Sequence, residues 1–216
     1  MVVERQIPVT IHGHYLIREA QREGGGLLVG FHGYGENAER HLLALESIPG
    51  AERWTLCAIQ GLSVFYNTRR QEISASWMTR QNRELAIQDN VAYIDQVVAT
   101  LREEGIDGPL VYTGFSQGVA MAYRAAALGS HPCQGVIALA GDVPPELAER
   151  DLSHLPHVLL GRGTKDDWYS GSMLETDLEL LRSKGVEVET CVFDGGHLWT
   201  AEFYQACGRF LSWLEG

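Results

Sequence analysis

The sequence predicts an α/β fold: a mostly parallel, doubly wound sheet, flanked by helices and led by an N-terminal antiparallel hairpin. Short apolar runs of strand length recur along the chain, each bounded by glycine or polar turns. Most are apolar on both faces, as strands buried between two helical layers are. Helical patterns separate them, and strands alternating with helices imply right-handed crossovers.

In chain order, the extended runs 6–11 and 15–20, parted by His12-Gly13-His14, read as the hairpin. Gly24-Gly25-Gly26 is a turn before the first buried strand, Leu27–Phe31. Further strands are expected at 54–59, 110–115, 135–140, 158–160 and 186–193. Ile87, Val91, Ile94, Val98 and Leu101 alternate spacings of four and three, which puts one apolar stripe on a long helix. Leu174, Leu178 and Leu181 repeat the pattern, as do Phe203, Cys207, Phe210 and Leu214. The stretch 61–80 reads as irregular and long for a connection, and such loops are often functional.

With 216 residues, the chain suits a single domain spanning 1–216. Its 45% apolar content supplies a full core. Seventeen Lys and Arg face 28 Asp and Glu, a formal charge of -11 that argues against nucleic acid and against anionic membrane surfaces as partners. The four cysteines are widely spaced, no secretory leader is legible, and no apolar run approaches the roughly 18 residues of a membrane span. The expectation is a cytoplasmic protein with free thiols and no integral membrane association. Nothing in the sequence fixes an oligomeric state.

Gly114-Phe115-Ser116-Gln117-Gly118 lies where a buried strand meets a helix starting near Gln117. A serine on so tight a turn is lifted above the sheet in a strained conformation, and side chains two residues to either side would collide unless they are glycines. A nucleophilic serine needs a histidine base and a carboxylate to orient it. Of eight histidines, only His197 follows the last predicted strand, in Gly195-Gly196-His197. Asp166 and Asp167, after the strand at 158–160, are the candidate acids, in the chain order Ser, Asp, His. Asp194 and Asp142 are weaker candidates. The oxyanion of an acyl-transfer intermediate needs fixed N–H donors. The Gln117 N–H is one candidate, and Tyr34, in His32-Gly33-Tyr34-Gly35 after the first buried strand, offers the other.

These three separated motifs resemble the phospholipase/carboxylesterase family of α/β hydrolases, which includes acyl-protein thioesterases and small bacterial carboxylesterases. The likeness runs from about Leu27 to the C-terminus. It implies an α/β-hydrolase fold and cleavage of carboxylic esters or thioesters through an acyl-enzyme. Ser116, Asp166 and His197 would be catalytic, with no cofactor. The acid motif of the family, Gly-x-x-Asp-x-x-Val-Pro, is matched in its first half by Gly163-Thr164-Lys165-Asp166, while Tyr169-Ser170 stands in place of Val-Pro. The family often has Trp, an aromatic and Asp where this chain has Trp77-Met78-Thr79.

Phe65, Tyr66, Trp77, Met78, Trp168, Leu198 and Trp199 are expected on loops near the strand ends, so an apolar acyl or aryl group of a small-molecule ester is a plausible ligand, although each also reads as ordinary packing. The length leaves little for a separate lid domain.

Three rival readings are weaker. Gly33-x-Gly35-x-x-Ala38 fits a dinucleotide fingerprint, but the next strand ends Ile59-Gln60-Gly61 without the acid that would hold a ribose. A non-catalytic binding module would ordinarily have lost a triad member. A metal enzyme has only the pairs His12-x-His14 and His154-x-x-His157 to draw on, with no supporting carboxylate cluster, so no metal is expected.

Overall fold

The computed structural model describes residues 1–69 and 71–215. The elements run β1 (Tyr15–Arg18), β2 (Leu27–Phe31), α1 (Ala38–Glu46), β3 (Thr55–Ile59), β4 (Ser63–Asn67), β5 (Glu72–Ser76), α2 (Arg83–Glu103) and β6 (Leu110–Phe115). There follow α3 (Gln117–Leu128), β7 (Gly135–Leu139), β8 (His157–Gly163), α4 (Gly171–Ser183), β9 (Val188–Phe193) and α5 (Ala201–Leu214).

Seven strands form one sheet in the order β1-β3-β2-β6-β7-β8-β9. Only β1 is antiparallel to its neighbour, β3; every other pair is parallel. This is an α/β-hydrolase architecture. β2 sits between β3 and β6, with Phe31 level with both Ile59 and Gly114. Alternate residues of β2 feed two cores. Leu27, Val29 and Phe31 belong to the core that also takes in residues of α2, α3 and α4, and Leu28 belongs to the core on the opposite face, with residues of α1 and α5. Burying each such side chain contributes about 1.5–3 kcal/mol, so the register follows from the apolar pattern. The stripe Ile87, Val91, Ile94, Val98 and Leu101 of α2 is buried throughout.

Three expectations are corrected. Residues 1–14 form no strand, so there is no N-terminal hairpin. Pro8 interrupts the run 6–11 and has no N–H to donate to a ladder, and Ile7, Val9 and Ile11 are exposed. The segment is tied down at Gln6, whose Nε2 donates to Asn82 Oδ1, and at His14, whose carbonyl accepts from the Tyr93 hydroxyl at 2.8 Å and the Gln60 N–H at 2.9 Å. The stretch 61–80 is not irregular either, because β4 and β5 pair as an antiparallel ribbon from Ser63↔Ser76 to Asn67↔Glu72. Ala75 and Glu36 bridge this ribbon to the loop after β2. Finally, β9 is not buried on both faces: as the last strand of the sheet it exposes Glu189, Thr190 and Val192.

The carboxyl ends of β2, β6, β7, β8 and β9 all open on one side of the sheet. Ligands of open α/β sheets bind in that crevice. No helix among the described residues is long and apolar enough to cross a membrane.

Candidate functional site

The turn from β6 into α3 puts Ser116 at φ 53°, ψ -120°. A non-glycine residue in that region costs on the order of 1–3 kcal/mol. Two backbone bonds hold it there: the Ser116 N–H donates to Leu139 O at 2.9 Å, and Val119 N–H donates to Ser116 O at 3.0 Å. The flanking glycines are required by contact. A Cβ at Gly118 would overlap the Phe31 carbonyl, and one at Gly114 would overlap the backbone of Gly118.

Gln117 opens α3, so its N–H is among those a helix leaves without an intrahelical acceptor. Its side chain is a clamp. Oε1 accepts from Trp77 N–H at 3.0 Å and from the Ser76 hydroxyl at 3.2 Å, and Nε2 donates to Met78 O at 3.0 Å. The loop after β2 is fixed on either side of Tyr34. Gly33 N–H donates to Glu36 Oε2 at 2.9 Å and Gly35 N–H to Ala75 O at 3.0 Å, leaving the Tyr34 N–H outside both bonds.

His32, fully buried, organises this loop. Gly61 N–H donates to its Nε2 at 3.0 Å, which puts the ring proton on Nδ1, 2.7 Å from Gly33 O. Burial pushes its pKa down, so the ring is neutral. Trp77 Nε1 donates to His32 O at 2.8 Å, and the two rings lie 5.1 Å apart.

His197 stands on the loop after β9. Its Nδ1 is 2.9 Å from Asp166 Oδ2 and 3.1 Å from Oδ1, so Nε2 is free to face the cleft. Asp166 comes from the loop after β8, and its side chain is fully buried. Oδ1 also accepts from Trp168 N–H at 2.8 Å and Tyr169 N–H at 3.0 Å. The two loops are laced together, with Lys165 N–H donating to Gly195 O and Thr164 N–H to Phe193 O, each at 2.8 Å. Among the described residues no other candidate acid bonds to His197. Asp167 and Asp142 are exposed. Asp194 is exposed as well and pairs with Lys165 Nζ at 2.6 Å.

Tyr169-Ser170, in place of Val-Pro, has its own bonding. The Tyr169 hydroxyl donates to Asp177 Oδ2 at 2.7 Å, and Ser170 Oγ caps α4 by accepting from Met173 N–H at 3.3 Å. Burial pushes Asp177 up to about 6, against the bonds from Tyr169 and Val143.

Ser116 and His197 line a cleft of about 250 Å³ together with Met78, Trp168, Tyr169 and Met173. Of the apolar residues expected there, Met78 and Trp168 are present. Trp77 is not: it is 1% exposed, packed behind the loop after β2 with its indole N–H committed to His32. Trp199 turns inward, stacking on Tyr204 at 5.3 Å and meeting Phe203 at 5.5 Å. Phe65 and Tyr66 are exposed on β4, where the Phe65 ring lies 5.9 Å from Tyr34, and half-exposed Leu198 is not in the cleft wall. Sequence reasoning missed Arg83, Arg124 and Met173 in the wall. One signal was legible: Ser116, Ala120 and Arg124 fall at four-residue steps, hence on one face of α3. Among the described residues no three His, Cys, Asp or Glu side chains gather as metal ligands.

The sequence pattern of the phospholipase/carboxylesterase family matches residues 12–214. No curated protein sequence matches the chain. Among solved structures, it is similar to the esterase PE8, with 22% identity and a TM-score of 0.73, over 94% of this chain and all of that one. A Zea mays acyl-protein thioesterase 2 superposes with a TM-score of 0.73 at 18% identity, over 95% of this chain and all of that one. The Bacillus cereus carboxylesterase gives 0.75 at 16% identity, over 94% of each chain. At such identities the superpositions speak for the fold.

Proposed function

The chain belongs to the phospholipase/carboxylesterase family of hydrolases, and from that premise we propose that it cleaves carboxylic esters, thioesters included, through Ser116, His197 and Asp166. In this reading His197 Nε2 takes the Ser116 proton as Oγ attacks the substrate carbonyl carbon. The negative charge that develops on the former carbonyl oxygen is met by the N–H groups of Tyr34 and Gln117. When the tetrahedral intermediate collapses, His197 returns the proton to the leaving alcohol or thiol, and the acyl group stays on Ser116. Water, deprotonated by His197, then attacks the acyl-enzyme; the carboxylic acid leaves and Ser116 recovers its proton. Asp166 keeps the His197 proton on Nδ1 and stabilises the imidazolium that forms transiently.

The observation that carries this reading is the bond from His197 Nδ1 to a fully buried Asp166, made beside the cleft in which Ser116 sits on a left-handed turn. Methionine and tryptophan in the cleft wall support an acyl or aryl group as the part bound. Free thiols at all four cysteines suit a reducing cytosol as the place of action.

A fluorophosphonate probe should label the protein one-to-one, and Ser116→Ala should abolish both labelling and hydrolysis of p-nitrophenyl esters. Full esterase activity in that variant would overturn the assignment. A series of esters and acyl thioesters of increasing chain length then reads the preference of the cleft.

A further inference from the structure

Arg124 is 2% exposed, yet it forms part of the cleft wall two helical turns beyond Ser116 on α3. A buried guanidinium carries five donors and needs strong acceptors for them. This one has a single carboxylate bond, Nε to Glu146 Oε1 at 2.7 Å. Its other contacts are to thioether sulfurs, Met78 at 3.5 Å and Met121 at 3.7 Å, which are weak acceptors. Glu146 is shared, because its Oε2 also accepts from Arg83 at 2.9 Å, and Arg83 lines the same cleft. Two guanidinium groups on one carboxylate leave one positive charge over. Asp142, in the same wall, is an opposing charge within reach of Arg124, but it is exposed and neither guanidinium bonds to it, so it leaves the remaining donors of Arg124 unfilled.

We infer that Arg124 and Arg83 form an anion-binding end of the cleft, so that the preferred substrate is an ester carrying a carboxylate a few carbons from its reacting carbonyl. The inference rests on the ester-hydrolase reading and adds the substrate class. Eight residues of helix span about 12 Å, and helical side chains lean toward the N-terminus, which brings the Arg124 guanidinium back toward Ser116. The remaining gap suits a short chain. Planar guanidinium groups suit a carboxylate, which they bind through paired, charge-assisted bonds. The general field works the other way: a chain of formal charge -11 repels anions at long range, so a preference for one must come from these local cations.

The test compares the p-nitrophenyl monoester of glutaric acid with its methyl-capped, uncharged counterpart, after subtraction of the uncatalysed rates. In the parent, kcat/KM should favour the anionic ester about ten-fold. Arg83→Gln cancels the surplus charge without touching the buried side chain, and the ratio should fall toward one. Glu146→Gln adds to the surplus, and the ratio should rise several-fold. A purely structural ion network would move both variants in the same direction, which would overturn the inference, as would a parent ratio at or below one. A second readout needs no turnover: millimolar glutarate should raise the melting temperature of the parent more than that of Arg83→Gln, and pentane-1,5-diol should raise neither. If glutarate behaves so and neither ester is cleaved, the failure belongs to the hydrolase reading; cleavage of both esters alike with no glutarate shift sinks the anion site alone.

Discussion

Asp166 Oδ1 accepts from the amides of Trp168 and Tyr169, and both oxygens face His197 Nδ1, Oδ2 at 2.9 Å and Oδ1 at 3.1 Å. The carboxylate is therefore held by the backbone of its own loop as well as by the ring, as the proposed role of orienting acid requires. Its neighbour Asp167 is exposed, and Asp194 is committed to Lys165. Removing an orienting carboxylate from a serine triad can lower kcat by roughly 10⁴-fold while the fold survives. Asp166→Asn is expected to show a loss of that order, and Asp167→Asn, Asp194→Asn and Asp142→Asn changes of less than about ten-fold. Steady-state kcat for the four, with folding followed by circular dichroism, decides it; a collapse confined to any of the last three would move the acid elsewhere.

At the scale of elements, the loop joining β8 to α4 depends on Tyr169 and Asp177. Tyr169 gives its amide to Asp166 and its hydroxyl to Asp177, so one residue links Asp166 to the buried face of α4. The arrangement has a pH signature. Burial raises Asp177 from 3.8 to about 6 in the folded protein. Between those values the folded chain binds more protons than the unfolded one, so stability falls as pH rises through the window and the full cost is present above about 6. Two units correspond to about 2 to 3 kcal/mol. Asp177→Asn keeps an oxygen to accept from Tyr169 and cannot ionise. Urea unfolding at pH 4.5 and 7.5 should therefore show a smaller drop in stability for the variant than for the parent. Equal drops would show that Asp177 ionises in the folded protein as it does in the unfolded one.

Over the whole molecule, what the sequence made legible follows burial. Strands β2 and β6 match their expected limits because each is enclosed on both faces, which leaves a continuous apolar run with polar or glycine ends. Ribbon β4–β5 escaped because its first strand is exposed on both sides, so Val64-Phe65-Tyr66 carries no alternation to read. Ser116 stood out through flanking glycines that close packing demands, and His197 through its place after the last predicted strand. The facing of Trp77 could not be read, since it depends on a bond to His32, 45 residues away in sequence. The surroundings of Arg124, Glu146 and two sulfurs, are supplied by the fold and leave no mark in the sequence. The left-handed backbone at Ser116 has a consequence for the molecule as a thermal object. Every folded copy holds that strain, and only a residue without a Cβ could release it. Ser116→Gly should then unfold at a higher temperature than the parent, and Ser116→Ala, which keeps the Cβ, should gain far less; calorimetry of the three would show it. If both variants melt with the parent, the turn stores nothing. If the glycine variant alone gains, the hottest-melting version of this protein is one that has lost its proposed nucleophile, and on that reading selection for heat resistance by itself would drive the lineage toward inactivity.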